Sequence, residues 1–530
     1  MVSRPEAAPV HVTPYDRLAL TDAEVEHFLV TGEHQRELAD FFGEEEYREL
    51  TQLARRAHSV PLRRAAPRVF ILPGIMGSQL GMARRRPLPR DVLWLDPLDI
   101  AFGRLKLLRL PGRARIIALG VILYTYLRLK LRLREAGFAP EFYTYDWRLD
   151  VETLGRAFAA RLRAETGPAM IVAHSMGGLV SRAALTHRGL DSVQRLVLLG
   201  TPNFGSFAPV QALRGTYAVV RKIARLDLRH SAEELAQQVF STFPSLYQML
   251  PAPGRSGAVD LFDARAWPRT GPRPRAELLE QARSLERLLA PADERFVAIV
   301  GVDQETVTGI ERDGDDFVYT ITRQGDGTVP MTCAVLPGAS THFTSVAHSD
   351  LPRDALVASA VIDLLRDGTT RRLPAEWTRG GIARTQISDR ELRRTHNGKV
   401  DFAALSPDER REFLQNLNEP PQFELHVPEP RRAARRAHTI GVRRGRSRRA
   451  PGTAASRTRR ARAQLEIRVE AGDIVEARAQ ALAVAVFQNV RPAGALAAID
   501  ARLEGLVEEF VARRMLPAEP GAIVPVPTRG

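Results

Sequence analysis

The 530-residue chain has almost no cysteine: Cys333 is its only one, so no intramolecular disulfide can form. That argues against a disulfide-stapled secreted scaffold and favours a reducing, cytoplasmic setting. The start, "MVSRPEAAPVHVTPYD", lacks the basic residues and apolar block of a secretory leader. No apolar run reaches the ~20 residues a spanning helix needs. The longest, "IIALGVILYTYL" (116–127), continues into "RLKLRLREAG" and reads as a buried helix with a basic, amphipathic end; a membrane-surface helix is the alternative. Aromatic residues are sparse at 6%, and none interleaves the most basic segment. Residues 431–462 hold 13 arginines and no acid, which accounts for nearly all of the net charge of +14. That segment is self-repelling and poor in apolar side chains, as expected of a disordered linker. With no rings to stack on bases, its charge gives no case for specific nucleic-acid binding.

What is present is a globular composition, 44% hydrophobic and 26% charged, over a length that calls for more than one domain. Residues 1–65 read as an N-terminal helical extension: Thr21 and Glu24 fit a capping box, and "EEEYRELTQLARRA" (44–57) repeats apolar positions at helical spacing. From 66 to about 370 the pattern is α/β. Short apolar runs at 68–73, 141–145, 169–174, 195–200 and 296–301 alternate with amphipathic stretches, which implies a mostly parallel sheet with helices on both faces. The rhythm is interrupted between about 203 and 293, where the length and composition suit a cap or lid over an active site, or a cover for the sheet edge. Residues 371–463 form an extension and the Arg-rich linker. The remainder, 464–530, reads as a small α/β module ending at "AIVPVPTRG" as if cut within a domain.

One stretch raises the question of chemistry. "IVAHSMGGLV" (171–180) carries Ser175 from a buried strand into two glycines and a helix, the pattern of a nucleophile elbow. Alanine at 173 stands where the usual motif has glycine, so the match is looser than the consensus. His174 is adjacent on the strand and points to the opposite face, which makes it a poor base for Ser175. The base belongs on a later loop, after a carboxylate. Two acids compete, Asp303 directly after "FVAIVG" and Asp326 in "GDGTVP" (325–330), and the flanking glycines favour Asp326. Of the histidines, His342 lies in a strand-like run and His348 in a loop before a helix opened by Asp350 or Leu351, which favours His348. His396, His426 and His438 lie beyond the sheet. The oxyanion needs backbone amides, those of Met176 and, from the loop "LPGIMGS" (72–78), Ile75.

Six segments in order, "PGIMGSQL" (73–80), "YDWRLD" (145–150), "AHSMGG" (173–178), "GTPNFGS" (200–206), "FPSLYQMLP" (243–251) and "GDGTVP" (325–330), resemble the lecithin:cholesterol acyltransferase family. That family includes the lysosomal phospholipase A2 and phospholipid:diacylglycerol acyltransferases, and the likeness covers roughly residues 66–366. It implies an α/β-hydrolase fold, a cap with a lid, and acyl transfer from a lipid ester through an acyl-serine. Its triad motifs fall on Ser175, Asp326 and His348. The secreted animal members carry disulfides that this chain cannot form, which points to a bacterial, cytoplasmic or peripheral membrane placement. The last segment resembles the N-terminal domain of leucine aminopeptidases, whose metal ligands lie in a domain absent here, so peptidase activity does not carry over.

The sequence therefore points to a serine O-acyltransferase or acyl hydrolase. A lipid ester is the acyl donor, water or an alcohol the acceptor, and no metal or cofactor is implied. A general carboxylesterase or lipase with the same triad is one alternative. A non-catalytic scaffold presenting the C-terminal module is another.

Overall fold

The computed structural model describes residues 20–62, 66–82, 91–378, 384–394, 398–400 and 407–415, with 402, 405, 417 and 499 singly. Twelve strands are described: β1 (Arg68–Leu72), β2 (Ser78–Met82), β3 (Asp91–Trp94), β4 (Ile116–Val121), β5 (Ala139–Phe142), β6 (Ala169–His174), β7 (Val193–Leu199), β8 (Phe296–Gly301), β9 (Thr306–Asp313), β10 (Asp316–Thr322), β11 (Ser340–Thr344) and β12 (Thr385–Ser388). All belong to a compact unit, Met1–Phe423; of a second, Glu424–Gly530, only residue 499 is described. The Arg-rich segment 431–462 and nearly all of the C-terminal module, 464–530, thus lie outside the described residues.

Six strands form one sheet in the order β11-β8-β7-β6-β1-β5, every neighbouring pair parallel. Runs such as "FVAIVG" are buried along their whole length because both faces are covered, so apolar side chains need not alternate with polar ones. Along β1 the pleat sends Val69 and Ile71 into one core cluster and Phe70 and Leu72 into another on the opposite face. β5 lies on one side of β1, while β6 and everything later in the sheet lie on the other. The order reverses at β1/β6, so the loops leaving the C-terminal ends of these two strands diverge and open a crevice.

The run at 116–127 is not one helix. Ile116–Val121 is β4, antiparallel to β2, and the helix begins only at Leu123. Two adjacent isoleucines and a glycine suit a strand better than a helix, and the Ile122 N–H, donated to the Gly77 carbonyl, marks the corner. Two of the basic residues of Leu123–Glu135, Arg128 and Lys130, meet acids of the N-terminal helices. Lys130 pairs with Asp22 and with Glu26 at 2.6 Å, Arg128 pairs with Glu46 and with Glu49 at 2.7 Å, and Glu135 meets Arg56 at 2.6 Å. Leu127, Leu129, Leu131 and Leu133 are all buried, since the helix packs on the sheet and beneath Asp22–Thr31 and Glu44–Ser59. Among the described residues no helix is long and apolar enough to cross a membrane.

Between β7 and β8 the chain runs through short helices, among them Ala208–Leu213, Ala218–Leu226 and Pro244–Gln248. β9 and β10 form a hairpin, with Gly314 at φ +58° in its turn, and β12 adds to the far side of β10. The helix after His348 opens at Ala355 rather than near 350. Asp354 supplies the cap by accepting the Val357 N–H at 2.8 Å, and the stretch around Pro352 is spent in turns.

Candidate active site

Ser175 leaves β6 with φ +52° and ψ −125°, a conformation that is strained for a side chain larger than hydrogen. The surrounding glycines explain how the elbow closes. A Cβ on Gly177 would stand 2.7 Å from the Pro73 carbonyl oxygen, and one on Gly178 would stand 2.0 Å from Thr201 Oγ1. Ala173, the departure from the usual glycine, lies fully buried in β6 with Leu72 and Leu198 as its partners across the sheet. A methyl group is thus accommodated one step before His174.

The sheet then brings distant loops over the hydroxyl. His348 Nε2 lies 3.0 Å from Ser175 Oγ, and His348 Nδ1 lies 2.7 Å from Asp326 Oδ2. Because the carboxylate can only accept, Nδ1 carries the proton and Nε2 presents its lone pair to the serine. Asp326 is itself held: Oδ1 accepts the N–H groups of Thr328 at 2.9 Å and Val329 at 2.7 Å. The His348 N–H donates to the Asp326 carbonyl at 2.8 Å, so backbone and side chain tie the pair together. Serine, histidine and aspartate are all buried.

The competing candidates are engaged elsewhere. Asp303 accepts from Ser345 Oγ at 3.0 Å and from Trp377 Nε1 at 3.2 Å. His342 is buried within β11 and bonds neither Asp326 nor Ser175. His396, His426 and His438 lie outside the described residues.

The loop after β1 turns tightly over the serine. Gly77 N–H donates to the Gly74 carbonyl, and Met76 takes φ +63° in between. The N–H groups of Ile75 and Met176 have no protein acceptor among the described residues. Three ring groups pin this loop: Tyr145 Oη donates to the Pro73 carbonyl at 2.6 Å, Trp94 Nε1 to the Met76 carbonyl at 2.8 Å, and Tyr126 Oη accepts the Gly74 N–H at 2.9 Å. Burial raises the pKa of both Tyr126 and Tyr145 above the ordinary value, so each hydroxyl keeps its proton.

A cavity of about 90 Å³ opens over Ser175 and His348. Ile75 and Met76 line it together with Ala212, Val219, Leu246 and Met249, which come from the helical segment between β7 and β8 and give it an apolar wall. Tyr217, its pKa pushed up to about 12 chiefly by burial, and Thr328 add polar atoms beside Val329. From the "YDWRLD" segment, Trp147 packs edge-on against Trp94 and Phe243, and Arg148 bonds Asp146 and the Leu108 carbonyl; these residues support the cavity and do not line it.

Sequence reasoning missed the residues that make room for the pair. A Cβ on Gly200 would lie 2.9 Å from Asp326 Oδ2 and 3.0 Å from His348 Nδ1; on Gly301 it would lie 2.4 Å from Asp326 Cβ. Gly200 directly follows β7 in "RLVLLG" and Gly301 ends β8 in "FVAIVG", and that recurrence is the available signal. Tyr126 carried no signal, since its reach to Gly74 depends on the tertiary fold.

A family model described as the PGAP1-like alpha/beta domain matches residues 158–242, from the helix before β6 through the elbow to the segment that walls the cavity. The fold is an α/β-hydrolase fold. Among solved structures, the mature form of Bacillus licheniformis lipase BlEst2 is 15% identical, covering 57% of this chain and 94% of that one at a TM-score of 0.31. A chain of the Tle4–Tli4 complex is 14% identical, covering 57% and 98% at a TM-score of 0.38. Likeness at this level carries nothing about activity. No curated protein matches the chain.

Proposed function

We propose that the protein is a serine ester hydrolase or acyltransferase acting on lipid esters through an acyl-serine. The observation that carries this reading is the continuous hydrogen-bonded chain from Ser175 Oγ through His348 to Asp326, opening onto an apolar cavity. His348 Nε2 takes the serine proton as Oγ attacks the ester carbonyl, and Asp326 holds the tautomer and faces the imidazolium that forms. The amides of Ile75 and Met176 receive the oxyanion. Because the loop around Ile75 is pinned by three aromatic side chains, little reorganisation is left for the moment of reaction. His348 then returns its proton to the leaving alcohol. In the second half-reaction it activates water, or an alcohol acceptor, against the acyl-enzyme.

The apolar wall supports an acyl chain as the group bound. Transfer to an alcohol rests on the motif resemblance to the lecithin:cholesterol acyltransferase family. Assays on a short-chain ester, on phospholipid, and on phospholipid with an added long-chain alcohol separate the branches. Acyl product appearing only as free acid in all three would remove the transferase half. Turnover of short esters alone would leave a general carboxylesterase.

A further inference from the structure

His174 sits within the elbow yet makes no bond to the serine beside it, and the Ser–His–Asp chemistry above leaves it without a role. Its ring is buried, with Nδ1 2.8 Å from Tyr126 Oη and Nε2 3.0 Å from the His348 carbonyl oxygen. Only one arrangement of protons satisfies these contacts. The Gly74 N–H can only donate, and Tyr126 Oη accepts it at 2.9 Å. The hydroxyl must then give its own hydrogen to His174 Nδ1, which leaves the ring's proton on Nε2, facing a carbonyl that can only accept. Protonating Nδ1 would point a second N–H at Tyr126 and strand the hydroxyl hydrogen.

We infer that Tyr126 and His174 are positioning residues: a one-way hydrogen-bond relay, Gly74 to Tyr126 to His174 to His348, that fixes the oxyanion loop and the base at a set distance from each other. The inference rests on Ser175 and His348 acting as proposed above. Space around the relay is tight. A Cβ on Gly74 would stand 2.9 Å from Ser175 Cβ and 3.2 Å from His174 Nδ1, so loop, nucleophile and relay share one contact. Tyr126 is placed by the same corner, since Ile122, just before its helix, donates its N–H to the Gly77 carbonyl at the far end of the turn.

The relay also has an electrostatic consequence. The rings of His174 and His348 lie 4.8 Å apart between centroids. Burial holds the His174 pKa well below the ordinary value, and the neighbouring His348 adds to that. When His348 becomes an imidazolium, it therefore faces a neutral ring rather than a second cation.

Three variants test this in the full chain. Tyr126→Phe removes one hydroxyl, His174→Gln keeps an N–H donor for the His348 carbonyl, and His174→Phe removes both ends. On a soluble ester, kcat should fall about tenfold or more for Tyr126→Phe and His174→Phe while KM stays within about twofold. His174→Gln should recover part of the loss, and adding Tyr126→Phe to His174→Phe should cost little more. If His174→Phe does not fold, the Tyr126→Phe and His174→Gln pair carries the test. Wild-type kcat in Tyr126→Phe, or a loss confined to KM, overturns the relay. Fluorophosphonate labelling run alongside separates the two readings. Wild type that labels at Ser175 while Tyr126→Phe turns over normally overturns the relay alone, whereas wild type that fails to label removes the triad and the relay with it.

Discussion

Gly200→Ala adds one methyl group and leaves Ser175, His348 and Asp326 themselves unchanged, yet it should disable the site. The new Cβ would stand 2.7 Å from Leu351 Cδ1, 2.9 Å from Asp326 Oδ2 and 3.0 Å from His348 Nδ1. Ordinary contact begins near 3.4 Å, so both members of the pair must retreat by about half an ångström. Leu351 can adjust by a rotamer, but Asp326 cannot swing without giving up the two amides that hold Oδ1. The backbone adds roughly 1–2 kcal/mol, because φ is +55° there and alanine resists the left-handed region. A shift of this size at the base predicts a loss on the order of tenfold or more in kcat. Gly338→Ala is the control. Its φ is +86°, but the nearest atom would be Ala292 Cβ at 3.5 Å, so it carries the backbone strain without the collision. Steady-state kinetics on a soluble ester, with melting curves for both variants, decide the matter. Wild-type kcat in Gly200→Ala, or an equal loss in Gly338→Ala, would refute the reasoning.

Further outcomes follow from the same geometry. Asp326→Asn preserves the shape but loses the carboxylate that fixes the His348 tautomer. It should lower kcat by something on the order of 10⁴-fold with the fold intact, and a loss below tenfold would contradict the assignment. His174 makes stability pH-dependent: between its lowered native pKa and about 6.5, the unfolded chain binds a proton there that the native state does not. Its contribution therefore makes stability rise with pH through that window, by at most about 1.4 kcal/mol per unit, and level off above. His174→Gln should flatten this part of the profile in denaturant titrations at about pH 5.5 and 7.5, and an unchanged slope would count against a neutral His174. Asp389→Asn takes the charge from a fully buried pair in which Arg214 Nε lies 2.7 Å from Asp389 Oδ2. Equilibrium unfolding should show a loss of about 3–5 kcal/mol, and a change below about 1 kcal/mol would mean that the Pro272 and Thr270 carbonyls, which accept from Arg214 at 2.6 and 2.8 Å, hold it without the carboxylate.

The fold was readable because the sheet is parallel and covered on both faces. That forces continuous apolar runs such as "AMIVAH" and "FVAIVG", whose shortness, with glycine or loop residues at their ends, marks them as strands. The boundary errors came where two elements share one apolar run. At 116–127 a strand and a helix meet at Ile122, and only the Gly77 carbonyl that receives its N–H separates them. In the site, the order of Ser175, Asp326 and His348 is visible along the chain because each sits in a glycine-marked turn or a loop between elements. The fold does bring these three side chains into contact. Strand alternation keeps His174 off the serine but says nothing of what lies on its own side. Its partners come from residue 126 and the backbone at 348, separations over which no local pattern speaks.

The most direct test of the central claim is covalent labelling by a fluorophosphonate probe, read by mass spectrometry of the full chain. A single adduct should form on Ser175, abolished in Ser175→Ala and greatly slowed in His348→Ala. No adduct on wild type, or an adduct that survives Ser175→Ala, would contradict it.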